Sequence, residues 1–183
     1  MGNGKMQLKT KRLLIRELTP DDWQAMQKIA VDFRESKYAI YDMPLPIGDE
    51  EITELTRQFA ESQLFYAVVL HDVMIGYICF HEDNGNYDLG FCFHSDYQGR
   101  GYAFESCRAI MDYMASERNV RVFTAGTAMK NKPSCKLLER LGFILQKTER
   151  LSFQKDAKGN DLTFEGGIFI KQTGNLPVST FSE

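Results

Sequence analysis

Apolar and polar positions change rhythm several times along this chain, and each rhythm assigns an element. From Leu8 to Leu18 they alternate well enough for a first strand, with Leu14 and Leu18 flanking Arg16. Thr19-Pro20-Asp21-Asp22 then opens a helix. Thr19 suits a cap, Pro20 suits the first turn, and two acids suit the positive end of the dipole. Trp23, Met26, Ile29 and Ala30 carry that helix to about Phe33. Residues 35–48 hold Tyr38, Tyr41, Pro44 and Pro46, the composition of an ordered loop. Asp49 starts a second helix, marked by Ile52, Leu55, Phe59 and Ala60.

Two runs rich in β-formers follow, 65–70 and 73–81, joined by His71-Asp72. The turn Asp83-Asn84-Gly85-Asn86 leads to a third, 87–94, so 65–94 reads as an antiparallel meander. Beyond a glycine loop at 99–103 come an amphipathic helix (103–117), a strand (120–127), a short helix (132–140) and a strand (144–154). A turn at 156–160 leads to a last strand near 162–170. The ends, 1–7 and 172–183, are polar and aperiodic and are expected to be flexible. The expectation is one mixed α/β domain, 1–183, built on a central, mostly antiparallel sheet flanked by helices.

With 183 residues the chain can bury a core without disulfides, and 43% apolar against 26% charged residues is ordinary for a globular protein. The net charge of −3 and scattered Lys and Arg give no basic stripe for nucleic acid. The longest apolar runs fall short of the roughly 20 residues a bilayer requires, and the N-terminus has no signal-peptide apolar region. A cytoplasmic protein with four reduced cysteines, Cys79, Cys92, Cys107 and Cys135, is expected. Neither these nor His71, His81 and His94 show metal-ligand spacing, so no metal is expected.

The most informative segment runs Tyr87 to Glu105: strand, then Gln98-Gly99-Arg100-Gly101, then helix from Tyr102-Ala103-Phe104. A glycine loop at a helix N-terminus turns backbone N–H groups toward an anion, and the missing Cβ lets a phosphate approach. A P-loop needs Gly-Lys-Ser/Thr, absent here. A dinucleotide-binding loop should open a βαβ unit, whereas this one follows a meander. A plain strand-to-helix turn remains the alternative.

Gln98-Gly99-Arg100-Gly101-Tyr102-Ala103 resembles the pyrophosphate-binding signature of the GNAT family of N-acetyltransferases. Thr10-Lys11-Arg12-Leu13-Leu14-Ile15-Arg16 is similar to the opening strand of its ribosomal-protein N-terminal acetyltransferase branch. Asn131-Lys132-Pro133-Ser134, with Leu137, Leu138 and Leu141-Gly142-Phe143, is similar to that branch's second coenzyme A motif. The resemblance implies a GNAT fold and acetyl-CoA as co-substrate. It implies binding at Phe91, Cys92 and Phe93, at 98–104, and at Asn131 and Ser134. A free N–H of Cys92 or Phe93 would serve the thioester oxygen.

Two departures stand out. Ser95 replaces a frequent Pro, which should loosen the strand end. Leu138 replaces a frequent Tyr that protonates the leaving thiolate, and Ser134 is the expected substitute. Asp88, on the strand leading to the thioester and sharing a face with Gly90 and Cys92, is the expected base; a solvated strand-end Asp is the plainer reading. Glu105 reads as a first-turn acid and His94 as a surface residue. Cys92 has no spaced His or Asp to activate it, so direct attack is expected rather than an acyl-cysteine.

The acceptor is expected to be an amine, a peptide N-terminus before a polyamine or aminoglycoside, in an open groove beside Tyr38, Tyr41 and the 156–160 turn. Asp42, Asp49, Glu50 and Glu51 could serve a small polycation. A non-catalytic acyl-CoA-binding module is the alternative outside enzymes, and a monomer or homodimer suits either.

Overall fold

The computed structural model describes residues 6–174. Eight strands form one sheet in the order β1-β2-β3-β4-β5-β6-β8-β7. They are β1 (Gln7–Lys9), β2 (Leu14–Glu17), β3 (Phe65–Leu70), β4 (Val73–Asp83), β5 (Asn86–Phe93), β6 (Val122–Ala128), β7 (Ile144–Lys155) and β8 (Asp161–Gln172). The helices are α1 (Trp23–Glu35), α2 (Asp49–Ser62), α3 (Tyr102–Glu117) and α4 (Lys132–Arg140). Every strand pair is antiparallel except β5 with β6.

The segment read as one strand over 8–18 is two. Thr10 accepts the Leu13 N–H on its hydroxyl, and its own N–H donates to the Leu13 carbonyl. This tight turn folds β1 back on β2. At the ends, Gln7 opens β1, Gln172 closes β8, and Met6 is buried, so these positions are ordered. Thr173 also donates its N–H to the Arg121 carbonyl at 2.8 Å, and of the residues expected to be flexible, 1–5 and 175–183 lie outside the described residues. The strand expected from Val120 begins at Val122. The two hairpins of the meander turn at His71-Asp72 and Asn84-Gly85, all at positive φ, which matches the right-handed twist of the strands.

Period-2 alternation divides the sheet residues between two cores. One face (Ile15, Val68, Ile78, Leu89, Phe123) packs against Ile110, Met111 and Met114 of α3 and Leu138 of α4. The other (Ala67, Val69, with Tyr77 partly buried) packs against Met26 of α1 and Ile52 of α2. At the entry to α1, Arg16 donates twice to the Asp22 carboxylate, at 2.7 and 2.8 Å. Burial pushes the Asp22 carboxyl up, but the donors from Arg16 and Thr19 outweigh it and hold it below the usual range. The stability this pair supplies is therefore present above the unfolded-state pKa of Asp22 and is lost as pH falls through the lower folded value.

Candidate active site

The parallel pair β5–β6 sets the geometry. Its register holds for only three rungs, Asn86 with Val122, Tyr87 with Phe123, and Asp88 with Thr124. Beyond Asp88 the two strands diverge, and a Cβ added at Gly126 would meet nothing within 4 Å. Each strand stays paired on its outer side, β5 with β4 and β6 with β8. The V between them is therefore lined by main chain with no strand partner.

Which groups face the V follows from the ladder. The His94 N–H donates to the Ile75 carbonyl at 3.0 Å, so the alternating phase gives 88, 90 and 92 to β4. Phe91 and Phe93 turn their backbone groups toward β6 instead. Of the two expected oxyanion donors, the Cys92 N–H is thus committed to β4, and the Phe93 N–H faces the V. The Phe93 carbonyl accepts from Gln98 Nε2 at 2.7 Å, which anchors the glycine loop to the strand end. Both phenyl rings also pack in the core, so backbone and side chain serve separate purposes.

Gly99 (φ +72°) and Gly101 (φ +81°) take the left-handed conformations that other residues resist, and Gly101 caps α3. The first N–H groups of α3 consequently point out of the helix toward the loop, where an anion is favoured. Nothing lies within 4 Å of a Cβ built on Gly99, leaving the approach open. Arg12 braces this loop from the opposite end of the chain. It donates to Glu105 Oε2 at 2.7 Å and to the Arg100 carbonyl at 2.9 Å, and its guanidinium lies 4.4 Å from the Tyr102 ring centroid. Burial pushes the Glu105 carboxyl up, yet the donors from Thr10 and Arg12 outweigh it and hold it low. Glu105 is thus a first-turn acid with a partner 93 residues away.

A cavity of about 500 Å³ joins these parts, within the range of small-molecule sites. Phe91, Cys92, Phe93, Gln98, Gly99, Gly101, Tyr102, Ala103, Phe104, Asn131 and Ser134 all line it. Arg100 is exposed and does not; only its carbonyl is used, by Arg12. Asn131 caps α4 by accepting the Ser134 N–H at 3.3 Å. Ser134 is therefore not the cap, and its hydroxyl has no partner among the described residues, facing the cavity instead. Leu138, one turn on, is buried in the core.

Asp88 is not brought to this cavity. It stands at the last rung before the V and accepts the Thr124 hydroxyl at 2.8 Å. Four residues of strand at roughly 3.3 Å each put it about 13 Å from Cys92. The solvated strand-end reading describes its exposed position, and direct contact with an amine at the thioester is out of its reach. Burial pushes the Cys79 and Cys92 thiols up to about 12, so neither supplies a thiolate at neutral pH. Among the described residues no group of side chains could hold a metal.

Tyr38, expected beside the acceptor groove, lines the cavity; sequence reasoning missed Asp32 of α1 and Lys37 just beyond that helix, which stand with it. Asp32 accepts both the N–H and the hydroxyl of Ser95. The strand end expected to be loosened is tied to α1, by a backbone donor that proline lacks. The open groove expected beside Tyr41 is also bridged. Tyr41 meets Phe164 edge-on at 5.1 Å, and Gln154 Nε2 donates to the carbonyls of Ala39 (2.6 Å) and Asp42 (2.8 Å). No local pattern announced these contacts, because their partners lie more than 60 residues apart.

A mostly antiparallel sheet, split beside a glycine loop that opens a helix, defines an acyl-transferase architecture. The chain belongs to the acetyltransferase (GNAT) family, whose domain model matches residues 12–144. YnaD of Bacillus subtilis (strain 168), an uncharacterized N-acetyltransferase, is 32% identical over 143 residues, covering 75% of this chain and 82% of its own. The fold is also that of the ribosomal-protein-S5-alanine acetyltransferase from Vibrio fischeri. That match has a TM-score of 0.77 at 16% identity, over 94% of this chain and 99% of the other. A ribosomal L7/L12 alpha-N-protein acetyltransferase in complex with coenzyme A matches with a TM-score of 0.77 at 16% identity, over 91% and 98%.

Proposed function

We propose that this acetyltransferase takes the acetyl group of acetyl-CoA and passes it to the α-amine of a peptide or protein N-terminus, by direct attack in a ternary complex. The observation that carries the reading is the junction of the glycine loop, the open V and Ser134 in one cavity. The N–H groups at the start of α3 and the loop glycines hold the pyrophosphate. The free backbone of Phe91 and Phe93 receives the pantetheine arm and its thioester oxygen. Asn131, whose side-chain carbonyl is occupied by the cap, offers its amide N–H₂. The Ser134 hydroxyl donates to the departing sulfur.

Two considerations favour an α-amine. With a pKa near 7.7–8.0 it is far more often neutral at pH 7 than a lysine-like amine near 10.4. Structural neighbours named as a ribosomal-protein-S5-alanine acetyltransferase and a ribosomal L7/L12 alpha-N-protein acetyltransferase share the fold over nearly the whole chain. The acids that would serve a polycation are mostly elsewhere: Asp49, Glu50 and Glu51 occupy the exposed first turn of α2, and Asp49 accepts from Gln27. The test is free-thiol release with short peptides bearing free N-termini, spermidine and an aminoglycoside. A tenfold preference in kcat/KM for either polycation overturns the peptide acceptor. Bound CoA with no thiol release from any amine would point to an acyl-CoA-binding module.

A further inference from the structure

A second cavity, of about 480 Å³, adjoins the first around the opening turn of α3. Gly101, Phe104 and Arg140 line both, so a ligand lying across the glycine loop can extend from one into the other. Bases from three separate segments meet here. Lys11 and Arg12 come from the turn between β1 and β2, Arg108 from α3, and Arg140 from the last turn of α4. The chain as a whole carries a net charge of −3, so this gathering is local.

Two acids stand among them, Glu105 and Asp112. Glu105 is already occupied. Its Oε1 accepts the Thr10 hydroxyl at 2.6 Å and the Arg12 backbone N–H at 2.9 Å, and its Oε2 accepts Arg12 Nε at 2.7 Å. Asp112 lies 3.8 Å from Arg108 Nε with both side chains exposed, a pairing that water and salt weaken. Lys11 and Arg140 make no ion pair among the described residues. Four bases against two acids leave two positive charges that the protein does not neutralise.

Arg140 is also held in a posture that suits a ligand. Its guanidinium lies 4.4 Å from the centroid of the Phe104 ring. That contact steadies the cation through the ring's quadrupole and consumes none of its N–H donors. The planar fork stays available for a phosphate, whose oxygens it matches two at a time. Phe104 and Arg108 are four residues apart on α3 and share a face. The aromatic surface therefore leads from the loop glycines to the charged end of the second cavity.

We propose that this second cavity binds the 3′-phosphate of coenzyme A, with Arg140, Lys11 and Arg108 as donors and the Phe104–Arg140 pair against the adenosine. The inference rests on the reading that the glycine loop holds the pyrophosphate. The two phosphate groups of the coenzyme then meet different chemistry. Main-chain N–H groups at a helix start serve the pyrophosphate. The phosphomonoester, close to a dianion at pH 7, meets mobile side-chain cations. The consequence is donor selectivity: an acyl group on a phosphopantetheine arm that lacks the nucleotide is a poor substrate.

The test compares ligands by calorimetry. Wild type should bind CoA roughly tenfold more tightly than 3′-dephospho-CoA, the size expected of a hydrogen bond to a charged group. Added salt should shrink that ratio, because the contacts are exposed. Lys11→Gln combined with Arg140→Gln should abolish the ratio while leaving the affinity for dephospho-CoA near that of wild type. Arg140→Lys, which keeps the charge, should retain part of it. An Arg140 that only packs on Phe104 would weaken both ligands alike and leave the ratio in place, which overturns the proposal.

Equal binding of CoA and dephospho-CoA by the wild type overturns it too, and leaves the transfer reading standing. So does inorganic phosphate that competes with CoA as strongly as adenosine 3′,5′-bisphosphate, since the site would then serve a free anion. If the paired variant does not fold, Arg108→Gln at its exposed position decides: a lowered ratio upholds the proposal and an unchanged one overturns it. A wild type that prefers CoA, loses the preference in the variants and moves acetyl to no amine keeps the phosphate site and removes the transfer reading. Binding of neither coenzyme form removes both.

Discussion

The two sides of the β5–β6 opening are built on different principles. On the loop side, chemistry is braced by charge and by main chain: Arg12 locks Glu105 and the Arg100 carbonyl, and Gln98 holds the Phe93 carbonyl. On the acceptor side, a turn and a hairpin meet through a single glutamine and an aromatic edge. Ile40, Met43, Phe153 and Leu162 are exposed around that junction. A fixed co-substrate rewards a rigid cradle, whereas an acceptor rewards segments that can change without disturbing the sheet.

The largest expected effect lies on the loop side. Gly101→Val would place a β-branched residue at φ +81°, with its Cβ 3.4 Å from the Arg12 guanidinium. CoA at a hundredfold excess over its Kd should add about 2.7 kcal/mol to wild-type stability and almost nothing to the variant. Equal stabilisation of both by thermal denaturation would remove the loop from the site. Next comes Ser134→Ala, which should lower kcat by roughly 10²-fold while leaving CoA affinity intact, the size expected of general acid help. An unchanged kcat would assign thiolate protonation to solvent.

Across the opening, Gln154→Ala should act on the acceptor alone. It removes two hydrogen bonds worth about 0.5–1.5 kcal/mol each, so acceptor KM should rise roughly tenfold with the CoA KM unchanged. A matching rise in both would show that the two sides are not independent. The smallest effect is expected for Asp88→Asn, a change in kcat below about threefold, since the side chain contacts Thr124 rather than the cavity. A loss near 10²-fold would return Asp88 to proton removal through a chain of waters.

The same division explains what could be read in the sequence. The bounds of α4 (132–140) and β3 (65–70) were legible to the residue, and α3 was off by one, because periodicity and caps are local signals. The glycine turn between β5 and α3 was legible too, since a strand-to-helix turn at positive φ is encoded within a few residues. The turn at Thr10 was hidden inside an alternation that both β1 and β2 share. Arg12 with Glu105, Asp32 with Ser95, and Gln154 with Asp42 were illegible for a different reason. Their partners are 93, 63 and 112 residues away, and no local pattern encodes which surface charges will meet.

The three-rung contact between β5 and β6 has a mechanical consequence. Five strands lie on one side of it and three on the other, so the sheet is two leaves sewn together at one end by a short seam. A pantetheine arm laid against Phe91 and Phe93 would act as a surrogate strand, extending the stitching along the open length. Amides at those two positions, fast to exchange in the free protein, would then slow to the rate of their neighbours, and the leaves would flex as one plate.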